Sequence, residues 1–111
     1  MKTAQETFDI VANHLLTQNR QSCNEIGLCM YRGPDNLKCA IGCLIADEDY
    51  YPAMEHNNIA WLLEKGYLKK FLDHIVLLEE LRKVHDNRHP TMWKKALDEI
   101  SYEHNLTMVA V

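Results

Sequence analysis

The chain has 111 residues, 12 basic and 16 acidic side chains and a net charge of −4, with 47% apolar and 25% charged residues. That is one domain, residues 1–111, of ordinary globular composition, which excludes disordered and fibrous classes. A net acidic chain without a Lys/Arg stripe has no general attraction for a phosphate backbone, so no nucleic acid is expected as a partner.

No apolar run approaches the roughly 20 residues of a membrane span, so no membrane is expected either. The polar start, Met1 to Glu6, lacks a following apolar stretch of the signal-peptide kind. The expected location is cytoplasmic, where Cys23, Cys29, Cys39 and Cys43 are thiols or metal ligands rather than disulfides.

From Thr3 to Asn19, apolar residues at Ala4, Phe8, Val11, Ala12, Leu15 and Leu16 recur at three and four, one face of an amphipathic helix. Two extended-looking runs follow, 28–32 and 37–41, separated by Gly33-Pro34-Asp35-Asn36. Proline and Asp/Asn favour a tight turn, and the pattern predicts a β-hairpin with Arg32 opposite Leu37 and Met30 opposite Cys39. The apolar tail Leu106 to Val111 is a candidate third strand, or a strand paired with its copy across a two-fold axis.

Ile41 to Ala46 reads as a buried turn and Asp47-Glu48-Asp49 as a solvated acidic start to a short element, broken at Tyr50-Tyr51-Pro52. Asn57-Asn58 caps a short helix, Ile59 to Lys65, stopped by Gly66. The longest helix is expected from Leu68 to Asp86, on the spacing of Phe71, Leu72, Ile75, Leu78, Leu81 and Val84. A last helix is expected from Thr91 to His104, with Asn105 as its left-handed cap. The fold class is mainly α (α+β): a compact helical domain of four to five helices with a small β-hairpin after the first.

Three groupings could carry chemistry. Cys39 and Cys43 have the C-x3-C spacing of a zinc knuckle, and Cys29 with His56 or His85 could complete a zinc or iron site. Plain core packing competes with that reading, because free cysteine behaves as a small hydrophobe. His85-Asp86 matches part of the H…HD…D pattern of metal-dependent phosphohydrolases, with His56 or His74 and Asp98 as further ligands. A nucleophilic cysteine would need a base beside it, and no histidine neighbours Cys29, Cys39 or Cys43 in sequence. No P-loop, G-x-G-x-x-G, G-x-S-x-G or H-E-x-x-H motif occurs.

The turn itself, Tyr31-Arg32-Gly33-Pro34-Asp35-Asn36, gathers residue types common at binding hot spots. Tyr31, Arg32 and Asp35 are therefore the expected partner-binding residues. The run Tyr31-Arg32-Gly33-Pro34-Asp35-Asn36-Leu37-Lys38-Cys39-Ala40-Ile41-Gly42-Cys43-Leu44-Ile45 resembles that of a family of small uncharacterised proteins encoded by bacteria, prophages and phages. The resemblance extends through Leu81 to Asp86 and the tryptophan helix. It implies a small accessory protein of phage or mobile-element type, acting on a protein of its host. The combined expectation is a non-enzymatic interaction protein, homodimeric and without a cofactor, with a Cys/His zinc module as the alternative and a small metal-dependent hydrolase behind it.

Overall fold

In the computed structural model, which describes residues 1–108, four α-helices form among the described residues, joined by 3-10 turns. They are α1 (Ala4–Gln18), α2 (Ile59–Glu64), α3 (Ile75–Asn87) and α4 (Trp93–Glu103). No helix of the described chain is long and apolar enough to cross a membrane.

The first helix starts and stops where its sequence directs. Thr3 accepts from the Glu6 N–H, the Glu6 carboxylate accepts from the Thr3 N–H, and Asn19 closes the far end in the left-handed region. Its buried face, Phe8, Val11, Ala12 and Leu15, packs against Leu77, Leu81 and Val84 of α3 and Trp93, Leu97 and Ile100 of α4. A second cluster gathers Ile41, Ile45, Met54, Ile59, Leu62, Leu68 and Phe71 around Leu78. Helix α3 therefore serves both halves of the core, with Leu77 and Leu78 facing different clusters.

The helix expected over Leu68 to Asp86 is divided. Lys69–His74 is a 3-10 turn, and α-helix begins only at Ile75. The extended N-terminus lies across this turn. The Lys2 N–H donates to the Lys70 carbonyl at 2.7 Å, and the Lys2 carbonyl pairs with His74 Nε2 at 2.8 Å. In an uninterrupted α-helix the Lys70 carbonyl would accept from residue 74. The strap takes that acceptor.

The expected β-hairpin is corrected. The described residues contain no strand or sheet, only two isolated antiparallel bridges, Cys23 with Cys29 and Arg32 with Lys38. The register also differs from expectation: Arg32 faces Lys38, not Leu37. Asp35 and Asn36 both take positive φ, so the turn needs one more residue than a four-residue loop. The backbone groups that would extend a ladder are occupied by side chains. On one side the Glu55 carboxylate accepts from the N–H groups of Tyr31 (2.8 Å) and Arg32 (3.1 Å). On the other, Gln18 pairs with Lys38 through both amide atoms, accepting its N–H at 3.0 Å and donating to its carbonyl at 2.8 Å.

The tail repeats that device. Gln5 accepts the Thr107 N–H at 2.8 Å and donates to the Thr107 carbonyl at 2.9 Å, while Leu106 and Met108 pack on the first core cluster. The tail through Met108 thus docks on its own chain; residues 109–111 of the expected strand lie outside the described residues.

Beyond the turn the chain crosses under Tyr31. A Cβ on Gly42 would lie 1.8 Å from the Tyr31 carbonyl oxygen, so only glycine fits this crossing.

Candidate functional site

The site lies where segment 21–31 meets the C-terminal turn of α3. Ser22 is its hub and is fully buried. Its backbone N–H donates to His85 Nε2 at 2.8 Å, and its hydroxyl shares one proton between the carbonyls of Met30 (2.9 Å) and Leu37 (3.3 Å). Gln21 adds a bond from its side-chain amide to the His85 carbonyl, 2.9 Å. One buried serine thus joins both turns to α3.

His85 is also fully buried, its ring tilted 30° against Trp93 with centroids 5.5 Å apart. An N–H can only donate, so Nε2 carries a lone pair and the ring proton sits on Nδ1. Nδ1 donates to Asp86 Oδ1 at 2.7 Å, and Arg82 Nη1 donates to Asp86 Oδ2 at 3.1 Å. Burial raises the affinity of the Asp86 carboxyl for a proton, but the hydrogen bond from His85 and its other donors outweigh that and hold it below the ordinary value.

Cys29 completes the group. Its Sγ, a ring nitrogen of His85 and a carboxylate oxygen of Asp86 all lie within 4.8 Å of one another. Burial against the hollow, and then the Asp86 carboxylate, push its thiol up. The hollow holds about 140 Å³ and is lined by Cys29, Tyr31, Cys39, Glu55, Arg82 and Asp86 among others. Small-molecule pockets usually run to about 300 Å³ or more; this one has room for a few waters.

The arrangement is poor for catalysis. A cysteine nucleophile needs the imidazole as base, with the carboxylate behind it. Here the Nδ1 proton is directed at the Asp86 carboxylate, which the thiol also faces, and the far imidazole nitrogen accepts the Ser22 N–H, so neither ring nitrogen is open to take a thiol proton. A metal ion fits no better. Metal-bound histidine normally donates through its other nitrogen, whereas His85 accepts there. Coordination at Nδ1 would require an imidazolate, and the Arg82 guanidinium already holds Asp86.

The other expected ligands lie elsewhere in their chemistry. Cys39 is buried, accepts from the Gly42 N–H at 3.2 Å and is pushed by burial up to about 12. Burial likewise pushes Cys43 up to about 12, and its thiol donates to the Ala40 carbonyl. His56 and Asp98 are exposed, His74 holds the N-terminal strap, and none joins the Cys29–His85–Asp86 group among the described residues.

Of the expected partner-binding residues, Asp35 is presented to solvent. Tyr31 is half-buried, with its hydroxyl donating to the Asn57 carbonyl at 2.6 Å. Arg32 is 17% exposed, donating to the Ile45 carbonyl at 2.6 Å, pairing with Asp47 at 2.8 Å and lying 5.2 Å over the Tyr50 ring. Asp35, 72% exposed, pairs with Arg20 at 3.7 Å.

The surface feature that sequence reading missed is the turn Asn24 to Leu28. Asn24 Oδ1 accepts the N–H groups of Ile26 (3.1 Å) and Leu28 (2.9 Å), the Asn24 N–H donates to the Leu28 carbonyl, and Gly27 supplies φ +86°. On this immobilised backbone Ile26 is 80% and Leu28 60% exposed. The Asn-x-x-Gly spacing was the available signal for the turn. Nothing in the sequence signalled Ser22.

Searches against protein-family models, curated proteins and solved structures found no match to the chain.

Proposed function

We propose that the chain is a non-enzymatic interaction module that docks on a protein partner through the turn Asn24 to Leu28. The observation that carries this reading is the pair of exposed aliphatic side chains, Ile26 and Leu28, on a backbone held by its own asparagine cap. A loop already in one conformation loses little entropy on binding, so its apolar area contributes more fully to affinity. Bonds from Ser22 and Gln21, the Ser22–His85 bond among them buried, carry the turn on the end of α3. The resemblance of the Tyr31–Ile45 run to phage and prophage proteins suggests a protein of the bacterial host as the partner.

A photoreactive residue placed at Leu28 tests the reading in a lysate of the cells that carry the gene. The expected result is one discrete adduct, suppressed by excess wild-type chain but not by a folded Ile26→Ser/Leu28→Ser competitor. Equal suppression by both competitors would overturn the assignment. So would an adduct of twice the chain mass, which would make the turn a self-association surface.

A further inference from the structure

Cys23 and Cys29 face each other across an isolated antiparallel bridge, with Sγ atoms 3.9 Å apart. The flanking bonds, Met30 N–H to Ser22 carbonyl (2.9 Å) and Asn24 N–H to Leu28 carbonyl (2.8 Å), make this a non-hydrogen-bonded pair. Such pairs bring their side chains closest, with Cα atoms about 4.5 Å apart. That lies just inside the range of about 4.4–6.8 Å that a disulfide spans. Rotation about the two Cα–Cβ bonds can close the remaining gap without moving the backbone. Cys23 is partly exposed and Cys29 exposed, whereas Cys39 is buried and the Cys43 thiol is engaged with the Ala40 carbonyl.

We propose that Cys23 and Cys29 are a redox-reactive dithiol site whose co-substrate is a low-molecular-weight disulfide such as oxidised glutathione. The two sulfurs have different neighbours. Burial against the hollow, and then the facing Asp86 carboxylate, disfavour the Cys29 thiolate, so Cys23 makes the first attack. Its thiolate, having lost a proton to water, displaces one glutathione thiolate and forms a mixed disulfide. Cys29 then loses its proton to water and attacks the Cys23 sulfur, and the second glutathione thiolate leaves. Two protein thiols are oxidised, one glutathione disulfide is reduced to two thiols, and the Cys23–Cys29 bond is the product.

The bond would close the base of the Asn24 to Leu28 turn. A disulfide in so short and accessible a loop belongs with the reducible, regulatory kind rather than the structural kind. The site stands on its own geometry, whether or not the turn binds a protein.

The test is incubation of the full chain across glutathione ratios, followed by alkylation and mass spectrometry. The wild-type chain is expected to lose two hydrogen atoms, give a linked Cys23–Cys29 peptide and recover both thiols with excess reduced glutathione. Cys29→Ser removes the resolving thiol and should hold glutathione on Cys23. Cys23→Ser leaves the disfavoured thiol and should acquire glutathione about tenfold more slowly or less. A folded wild-type chain that gives no Cys23–Cys29 peptide at any ratio overturns the proposal. Linkage through Cys39 or Cys43 in the folded chain also overturns it.

Discussion

The backbone N–H of Ser22 donates to Nε2 of His85 at 2.8 Å, across 63 residues of chain. This bond sets the tautomer of the buried imidazole, directs its remaining proton at Asp86, and ties the two turns between α1 and the 42–44 segment to the end of α3.

Removing the ring leaves both a void and an orphaned donor. His85→Ala is expected to lower unfolding free energy by roughly 2–4 kcal/mol, the combined cost of a core cavity and an unpaired buried N–H. Urea denaturation measures it. Nitrogen chemical shifts of the wild-type ring should show the proton on Nδ1; an Nε2-protonated ring would contradict the Ser22 bond.

The depressed Asp86 carboxyl gives stability a direction in acid. The unfolded chain binds its proton near the ordinary value of 3.8, the folded chain only at lower pH. Below about pH 4 the unfolded state therefore holds more protons, and stability falls as pH falls through the folded value. Asp86→Asn should reduce this part of the acid slope. It should also be less stable at pH 7 by roughly 1–3 kcal/mol, because an amide oxygen cannot replace the carboxylate toward both His85 and Arg82. A denaturant midpoint series from pH 7 to pH 3 compares the two chains; parallel curves would remove Asp86 from the acid response.

Arg32 and Asp35 differ in the way their surroundings imply. Arg32→Ala removes donors to the Ile45 and Gly42 carbonyls and should cost roughly 1–3 kcal/mol. Asp35→Ala should stay within about 0.5 kcal/mol of wild type, because its partner among the described residues is an exposed arginine. Thermal melts separate them. A binding defect in Arg32→Ala would then report lost structure around the turn, whereas one in Asp35→Ala would report a lost contact.

Gln5 and Gln18 lie 13 residues apart on α1, about 20 Å along its axis, and each pairs with both backbone groups of one extended residue. Gln5→Ala and Gln18→Ala should each cost roughly 1–2 kcal/mol and add within about 0.5 kcal/mol, as distant sites do. Hydrogen exchange should locate the loss at the Thr107 amide in one variant and the Lys38 amide in the other. Protection of both amides unchanged in both variants would count against the two clamps.

Local periodicity was sufficient wherever a segment's partners are its own neighbours. The apolar spacing in α1, the Asn58 cap of α2 and the left-handed Asn105 after α4 follow from bonds three or four residues long. The same reasoning failed over 28–41 and 68–74. There the deciding groups, Gln18, Glu55 and Lys2, come from elsewhere in the chain. Alternating side chains resemble a strand, but a ladder needs free N–H and carbonyl groups, and distant side chains had taken them. For the candidate site, His85-Asp86 and Cys29 were visible as residue types, while their assembly through Ser22 was not.

The sequence alone determined that the chain is mainly helical, with amphipathic faces that must converge. Tertiary structure decided which backbone groups remained for pairing. It also decided that His85 accepts the Ser22 N–H, that Cys29 lies beside Cys23 and Asp86, and that Ile26 and Leu28 stay outside the core. The reason is one of range. Side-chain periodicity records which face a segment buries, whereas hydrogen-bond satisfaction depends on whatever packing brings against that face.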